Sequence, residues 1–209
     1  MNTQTEYYKK RAKEYDLVYQ KPERQQDLKQ IKAFLSTQFH QKKMVEIACG
    51  TGFWTHILAQ HAAHIYASDI NQEVIDIAQS RHYPKQNVSF DTVDLYQLNG
   101  KGYQGLFGGF IWSHIKKEEL AAFVKLCQDM LVKGGELIFV DNKYVEGSST
   151  PIKRTDEEGN TYQLRRLSSG EEFEVVKNFP NQSEFAEAIG VGEFEWIELD
   201  YFWIGKWTT

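Results

Sequence analysis

The stretch EIACGTGFW, residues 46–54, decides how the chain is read. It continues the apolar run MVEIA (44–48), which reads as a buried strand, and opens a helix expected from about Phe53 to Ala62. Gly50 and Gly52 allow the backbone to bend sharply and approach a ligand with no side chain intervening. The helix start beyond them offers free N–H groups. A G-x-G alone is a weak signal, so its weight depends on the residues around and beyond it. Glu46 sits inside the strand, four residues before Gly50. A buried carboxylate is costly unless partnered, so Glu46 is expected to bond loop N–H groups or a ligand's ammonium.

Downstream, short apolar runs alternate with amphipathic stretches. HIYAS (64–68) reads as a second strand ended by Asp69, 69 − 52 = 17 residues after Gly52. In a doubly wound sheet that position sets a carboxylate beside the loop, able to accept both hydroxyls of a ribose. NQEVIDIAQSR (71–81) is its helix, with Asn71 placed to cap it. NVSFDTVD (87–94) is a third strand ended by Asp94, followed by Leu95. A carboxylate there can accept from an adenine amine while the leucine covers a ring face; a solvated turn aspartate is the alternative. LFGGFIWS (106–113) is a fourth strand, and KKEELAAFVKLCQDML (116–131) a helix with Leu120, Phe123, Val124, Cys127 and Leu131 on one stripe. Gly134-Gly135 is read as its end, and ELIFVDN (136–142) as a fifth strand. Five strands alternating with helices imply a parallel sheet covered on both faces.

The flanks differ in texture. Tyr7, Tyr8, Arg11, Tyr15 and Tyr19 form an aromatic-basic pattern at roughly helical spacing, and residues 22–39 read as a helix with Pro22 in its first turn. Residues 143–160 are polar and turn-rich, TYQLRRL and EEFEVVKNF flank Ser168-Ser169-Gly170 as a hairpin, and 181–190 is a short helix. Residues 193–207 close the chain as one long strand or a tight pair.

With 209 residues, 41% of them hydrophobic, the chain suits one domain with an insertion. Its net charge, 24 − 29 = −5, without blocks of like charge, argues against a general nucleic-acid binder. No apolar run approaches the roughly 20 residues that span a bilayer, and the first residues lack the apolar core of a signal peptide. Two cysteines, Cys49 and Cys127, are too few for a disulfide framework or a cysteine metal site. A cytoplasmic protein without a metal is expected; its oligomeric state is not legible.

The loop EIACGTGFW with Asp69, Asp94 and a late antiparallel edge resembles the class I S-adenosylmethionine-dependent methyltransferases, in motif detail over residues 40–142. The resemblance implies an α/β fold: a doubly wound, mostly parallel seven-stranded sheet, Rossmann-like, with an antiparallel C-terminal edge. It implies a single domain over 1–209, with residues 1–40 as a helical lid and 143–180 as an inserted hairpin near the acceptor pocket. S-adenosyl-L-methionine would lie across the carboxyl ends of strands one to four. Carried over, Glu46, Ala48, Gly50 and Gly52, with Trp54, face its methionine part. Asp69 with Ile70 takes the ribose, and Asp94 with Leu95 the adenine. In the lid, Tyr8, Arg11 and Tyr19 reach the cofactor's carboxylate or cover its sulfonium. The sequence departs from the family at Ala48, where many members have glycine, and in GLFGGFIWSH, which lacks an acidic residue at the start of the fourth strand.

Methyl transfer from an activated sulfonium needs mainly proximity and alignment, with a base only if the acceptor must lose a proton. His114 is the candidate base; His40, His56, His61, His64 and His82 are expected to have no chemical role. Arg165 and Arg166 could bind an anionic acceptor, with one of the pair solvated, and Trp112 reads equally as pocket wall or core aromatic. A small-molecule acceptor is favoured over nucleic acid. The rival readings are a non-catalytic cofactor-binding module and an NAD-dependent oxidoreductase. The latter's third glycine falls on Thr55, behind the bulky Phe53 and Trp54.

Overall fold

The computed structural model describes residues 3–190 and 192–209; residues 1 and 2 of the expected lid lie outside them. The chain begins with α1 (Thr3–Arg11), a 3-10 helix over Ala12–Tyr19, and α2 (Gln25–Gln38). The α/β alternation follows as β1 (Lys43–Ile47), α3 (Phe53–Leu58), β2 (His64–Asp69), α4 (Gln72–Gln79), β3 (Val88–Thr92), β4 (Tyr103–Gly109), α5 (Leu120–Asp129) and β5 (Leu131–Asn142). An insertion supplies β6 (Ile152–Thr155), β7 (Thr161–Arg166) and β8 (Glu172–Val176), and the chain ends with α6 (Gln182–Ile189), β9 (Glu193–Glu198) and β10 (Phe202–Thr208).

Seven strands form one sheet in the order β3-β2-β1-β4-β5-β10-β9. β10 runs antiparallel to both its neighbours, and the other pairings are parallel. Both faces of the sheet are covered. In β5, Leu137 and Phe139 enter one core and Ile138 and Val140 the other, as the alternation of side chains along a strand requires. The α5 stripe buries Phe123, Val124 and Cys127 in the first of these cores, and α2 buries Leu28, Ile31 and Leu35 in the second. Strand order reverses at β1, whose neighbours are β2 and β4. The crevice at their carboxyl ends is where doubly wound sheets bind ligands.

Several boundaries move. The helix expected to reach Ala62 stops at Leu58. β4 ends at Gly109, because Phe110 turns left-handed (φ 61°) while its N–H bonds Val140 at 2.7 Å. Gly134-Gly135 lies within β5 rather than ending a helix, in a segment where the register with β4 slips. β6 arises in the stretch read as turns, since its four exposed residues carry no apolar alternation. Residues 193–207 resolve into a tight pair. β6, β7 and β8 form a separate antiparallel sheet. α1 lies against β8, with Tyr7 packed on Leu167, Val175 and Phe173. Among the described residues, no helix is long and apolar enough to cross a membrane.

Candidate functional site: two chambers sharing a wall

After β1 the chain passes through three left-handed residues, Ala48 (φ 50°), Gly50 (φ 55°) and Gly52 (φ 76°). This throws the loop back over the strand tips. The Gly50 N–H donates to Asp69 Oδ2 at 3.0 Å, and the Asn71 N–H to Asp69 Oδ1 at 2.9 Å. Asp69 therefore ties the loop to the start of α4, while the Asn71 side chain makes no capping bond. Burial pushes the Asp69 carboxyl above its ordinary value against the pull of these amides. Gly52 serves helix packing: a Cβ there would fall 2.9 Å from both Ala78 Cβ and the Tyr83 hydroxyl. Gly52→Ala is expected to destabilise the fold by about 1–2 kcal/mol through this crowding and the positive φ. Urea denaturation checks this, and an unchanged midpoint would contradict it.

The first chamber, about 330 Å³, opens at the carboxyl ends of β1, β2 and β4. Ala48, Gly50, Asp69, Ile70, Asp94 and Leu95 all line it. Asp94 lies two residues past the end of β3, capping the 3-10 turn Leu95–Gln97 by accepting from the Tyr96 N–H at 3.0 Å. Ile70, Val74, Leu95 and Ile115 give the chamber apolar walls between the two carboxylates.

A second chamber, about 140 Å³, lies beside the first. Tyr8, Tyr15, Phe110 and His114 line both. The second is otherwise reached by Arg11, Lys21 and Arg24 from the N-terminal segment, by Gln163 and Arg165 from β7, and by Lys177.

In the shared wall, His114 Nδ1 lies 2.7 Å from the Val176 carbonyl oxygen and Nε2 lies 2.6 Å from the Tyr8 hydroxyl. A carbonyl oxygen only accepts, so Nδ1 carries the proton and Nε2 accepts from Tyr8. Burial, reinforced by the positive charge of Lys177, holds the His114 imidazole well below its ordinary value. Burial pushes the Tyr8 hydroxyl far above its own. Behind the wall, fully buried Asp141 accepts from Lys177 Nζ at 3.0 Å and from the Ser113 amide and hydroxyl.

Other expected site residues lie elsewhere. Arg11 and Tyr19 line only the second chamber, where Tyr19 stacks on Phe53 at 3.7 Å. Glu46, Gly52 and Trp54 line neither. Glu46 is buried, and among the described residues its Oε2 has no hydrogen-bond partner: of the two expected partners, loop amides do not bond this oxygen. Burial, helped by the Asp69 charge, pushes its carboxyl up to about 8. Trp54 packs edge-on to Phe107 in the core, leaving the loop open. Trp112 is a core aromatic against Phe139 and Trp203. Arg165 faces the second chamber, whereas exposed Arg166 sits 3.8 Å from Glu172. None of the other five histidines lines either chamber. Sequence reasoning missed Tyr15, Arg24, Phe110 and Lys177. Only Tyr15, two helical turns from Tyr8, had a local signal.

The family described as methyltransferase domain matches residues 44–135. The structure of a DhpI-SAH complex is similar over 98% of this chain and 94% of that one, at 25% identity and a TM-score of 0.79. A DhpI-SAM-HEP complex is similar over 98% and 95%, at 24% identity and a TM-score of 0.81. Magnesium protoporphyrin IX methyltransferase from Synechocystis PCC 6803, with bound SAM, shares the fold over 88% and 78%, at 20% identity and a TM-score of 0.57. No curated protein sequence matches the chain significantly. Glycine loop, sheet order with its one reversed strand, domain match and full-length similarity give this chain the fold of the class I S-adenosylmethionine-dependent methyltransferases, with a methyltransferase-domain match over residues 44–135.

Proposed function

We propose that the enzyme methylates a small-molecule acceptor, with the cofactor in the first chamber and the acceptor in the second. The observation that carries this reading is the shared wall of Tyr8, Tyr15, Phe110 and His114, which puts two cavities side by side. The first cavity, at about 330 Å³, falls in the usual range for small-molecule sites, about 300–1,000 Å³. Its parts match an adenosine: Asp69 for the ribose hydroxyls, Asp94 for the exocyclic amine, and Ile70 and Leu95 for the ring faces. The left-handed turn through Ala48 and Gly50 brings backbone up to the ligand. The rings of Tyr8, Tyr15 and Phe110 suit a neighbouring sulfonium, since aromatic faces attract cations. The cofactor supplies a methyl group that is already activated. The protein's part is to align two ligands and exclude water.

The N-terminal segment and the insertion act as roof over one domain. Their contacts tie them to each other and to the loop: Lys10 to Glu171 at 2.6 Å, and Asp16 to both the Thr51 hydroxyl and Arg81. His114 is a positioning residue in this reading. With both nitrogens engaged and its basicity suppressed, it fixes the Tyr8 hydroxyl instead of taking a proton from the acceptor. His114→Ala is expected to lower kcat about tenfold, leaving SAH affinity within twofold and the pH–rate profile flat between about pH 6 and 8. A limb near neutral pH in the wild type, abolished in the variant, would make His114 the base after all. Screening a metabolite panel with radiolabelled cofactor tests the function as a whole. Methyl transfer to a small molecule supports it; cofactor binding without turnover of any acceptor favours a non-catalytic binding module.

A further inference from the structure

Eighteen of the described residues line the second chamber; Arg11, Lys21, Arg24, Arg165 and Lys177 are basic and none of the eighteen is acidic. That balance opposes the chain as a whole, which carries 29 acidic against 24 basic residues. Lys177 is neutralised by Asp141. Lys21 has a carboxylate, Glu23, only at 3.9 Å. Among the described residues, Arg11, Arg24 and Arg165 have no carboxylate within 4.0 Å.

These guanidiniums are nonetheless held in place. Arg11 lies 5.6 Å from the ring centres of Tyr7 and Tyr15, and Arg24 lies 5.6 Å from those of Tyr201 and Phe202. Arg24 also donates to Asn142 Oδ1 and Ser148 Oγ at 3.3 Å, and Arg165 to Gln163 Oε1 at 2.6 Å. Among the described residues, both Nε atoms, of Arg24 and of Arg165, are buried without a partner. Burial, and then the neighbouring charge of Arg24, pull the Lys21 ammonium below its ordinary value. Preorganised guanidiniums with spare buried donors and no carboxylate in direct contact call for an anionic ligand. A cofactor carboxylate alone does not account for them, because Arg11, Lys21, Arg24 and Arg165 line only the second chamber. At about 140 Å³, against about 330 Å³ for the first chamber, the space suits a compact group.

We infer that the acceptor is a small organic oxyanion, carboxylate or phosphoryl, anchored by Arg24 and Arg165 with Lys21 and Arg11 flanking. The inference rests on reading the second chamber as the acceptor site. Calorimetric titration of the full chain, saturated with SAH, with inorganic phosphate and with acetate tests it. At least one probe is expected to bind with one-to-one stoichiometry, at least tenfold more weakly in Arg24→Gln and in Arg165→Gln. Arg165→Lys should recover part of that loss, and SAH affinity should stay within twofold in all variants. Preference for phosphate assigns a phosphoryl acceptor; preference for acetate assigns a carboxylate. Binding of neither probe to protein that binds SAH, or binding indifferent to both glutamine substitutions, overturns the anionic acceptor alone. Competition between probe and SAH gives the cations to the cofactor's carboxylate and overturns the two-chamber reading with it.

Discussion

Replacing Asp69 with alanine is expected to weaken SAH binding by about a hundredfold, roughly 2.7 kcal/mol. Two losses combine. The carboxylate is the proposed acceptor for the ribose hydroxyls, and charge-assisted bonds of that kind are about twice as strong as neutral ones. It also ties the Gly50 and Asn71 amides, at 3.0 and 2.9 Å, which fixes the loop that must approach the ligand. Asp94, which accepts from the Tyr96 amide at 3.0 Å beyond the end of β3 and ties no second element, should matter less: Asp94→Ala is expected to weaken SAH binding about tenfold. Titration calorimetry on folded variants checks both. Unchanged affinity in Asp69→Ala would remove this residue from the site.

Replacing Lys177 with methionine is expected to destabilise the fold by about 3–5 kcal/mol, lowering Tm by about 10 °C. Asp141 is fully buried, and burial alone would raise its carboxyl; Lys177 and the Ser113 and Asn142 amides outweigh that and hold it below the ordinary value. Without the ammonium, a buried charge loses its counter-charge. The pH dependence follows from the direction of the shift. A carboxyl depressed in the folded state contributes stability above its unfolded value, near pH 4, and the contribution fades as acid protonates it in the fold. In Lys177→Met the folded value rises, so the deficit against wild type should be largest near pH 7 and shrink toward pH 5. Adding Asp141→Asn should recover part of the lost stability. A single-variant loss below about 1 kcal/mol, or one independent of pH, would contradict this account of the pair.

Much of the fold was legible because parallel strands buried on both faces must be apolar runs, and MVEIA and HIYAS have no other good use. The stripe of α5 was legible for the same reason. What the sequence pattern left open or did not show has equally physical causes. β6 is exposed at every position, the link between β9 and β10 (Leu199–Tyr201) contains neither glycine nor proline, and Phe110 takes a left-handed turn usually reserved for smaller residues. In the first chamber, the glycine loop and the acidic residues near the ends of β2 and β3 belong to consecutive units, so spacing alone brought them together. The second chamber is assembled from positions 11, 21, 24, 165 and 177, which no local period relates. The alternation of a hairpin foretold that one of Arg165 and Arg166 would be solvated, but not which. The family resemblance alone points Arg11 and Tyr19 at the cofactor. In the fold the backbone tightens to a 3-10 helix after Arg11, and Tyr15 takes the place on the shared wall.

In the proposed complex, the glycine loop and the carboxylates of Asp69 and Asp94 converge on one adenosine. The most direct measurement is a crystal structure of the chain grown with SAH. Ribose hydroxyls are expected within hydrogen-bonding distance of Asp69 and the adenine ring between Ile70 and Leu95, its amine toward Asp94. Nucleoside density away from both carboxylates would contradict this arrangement.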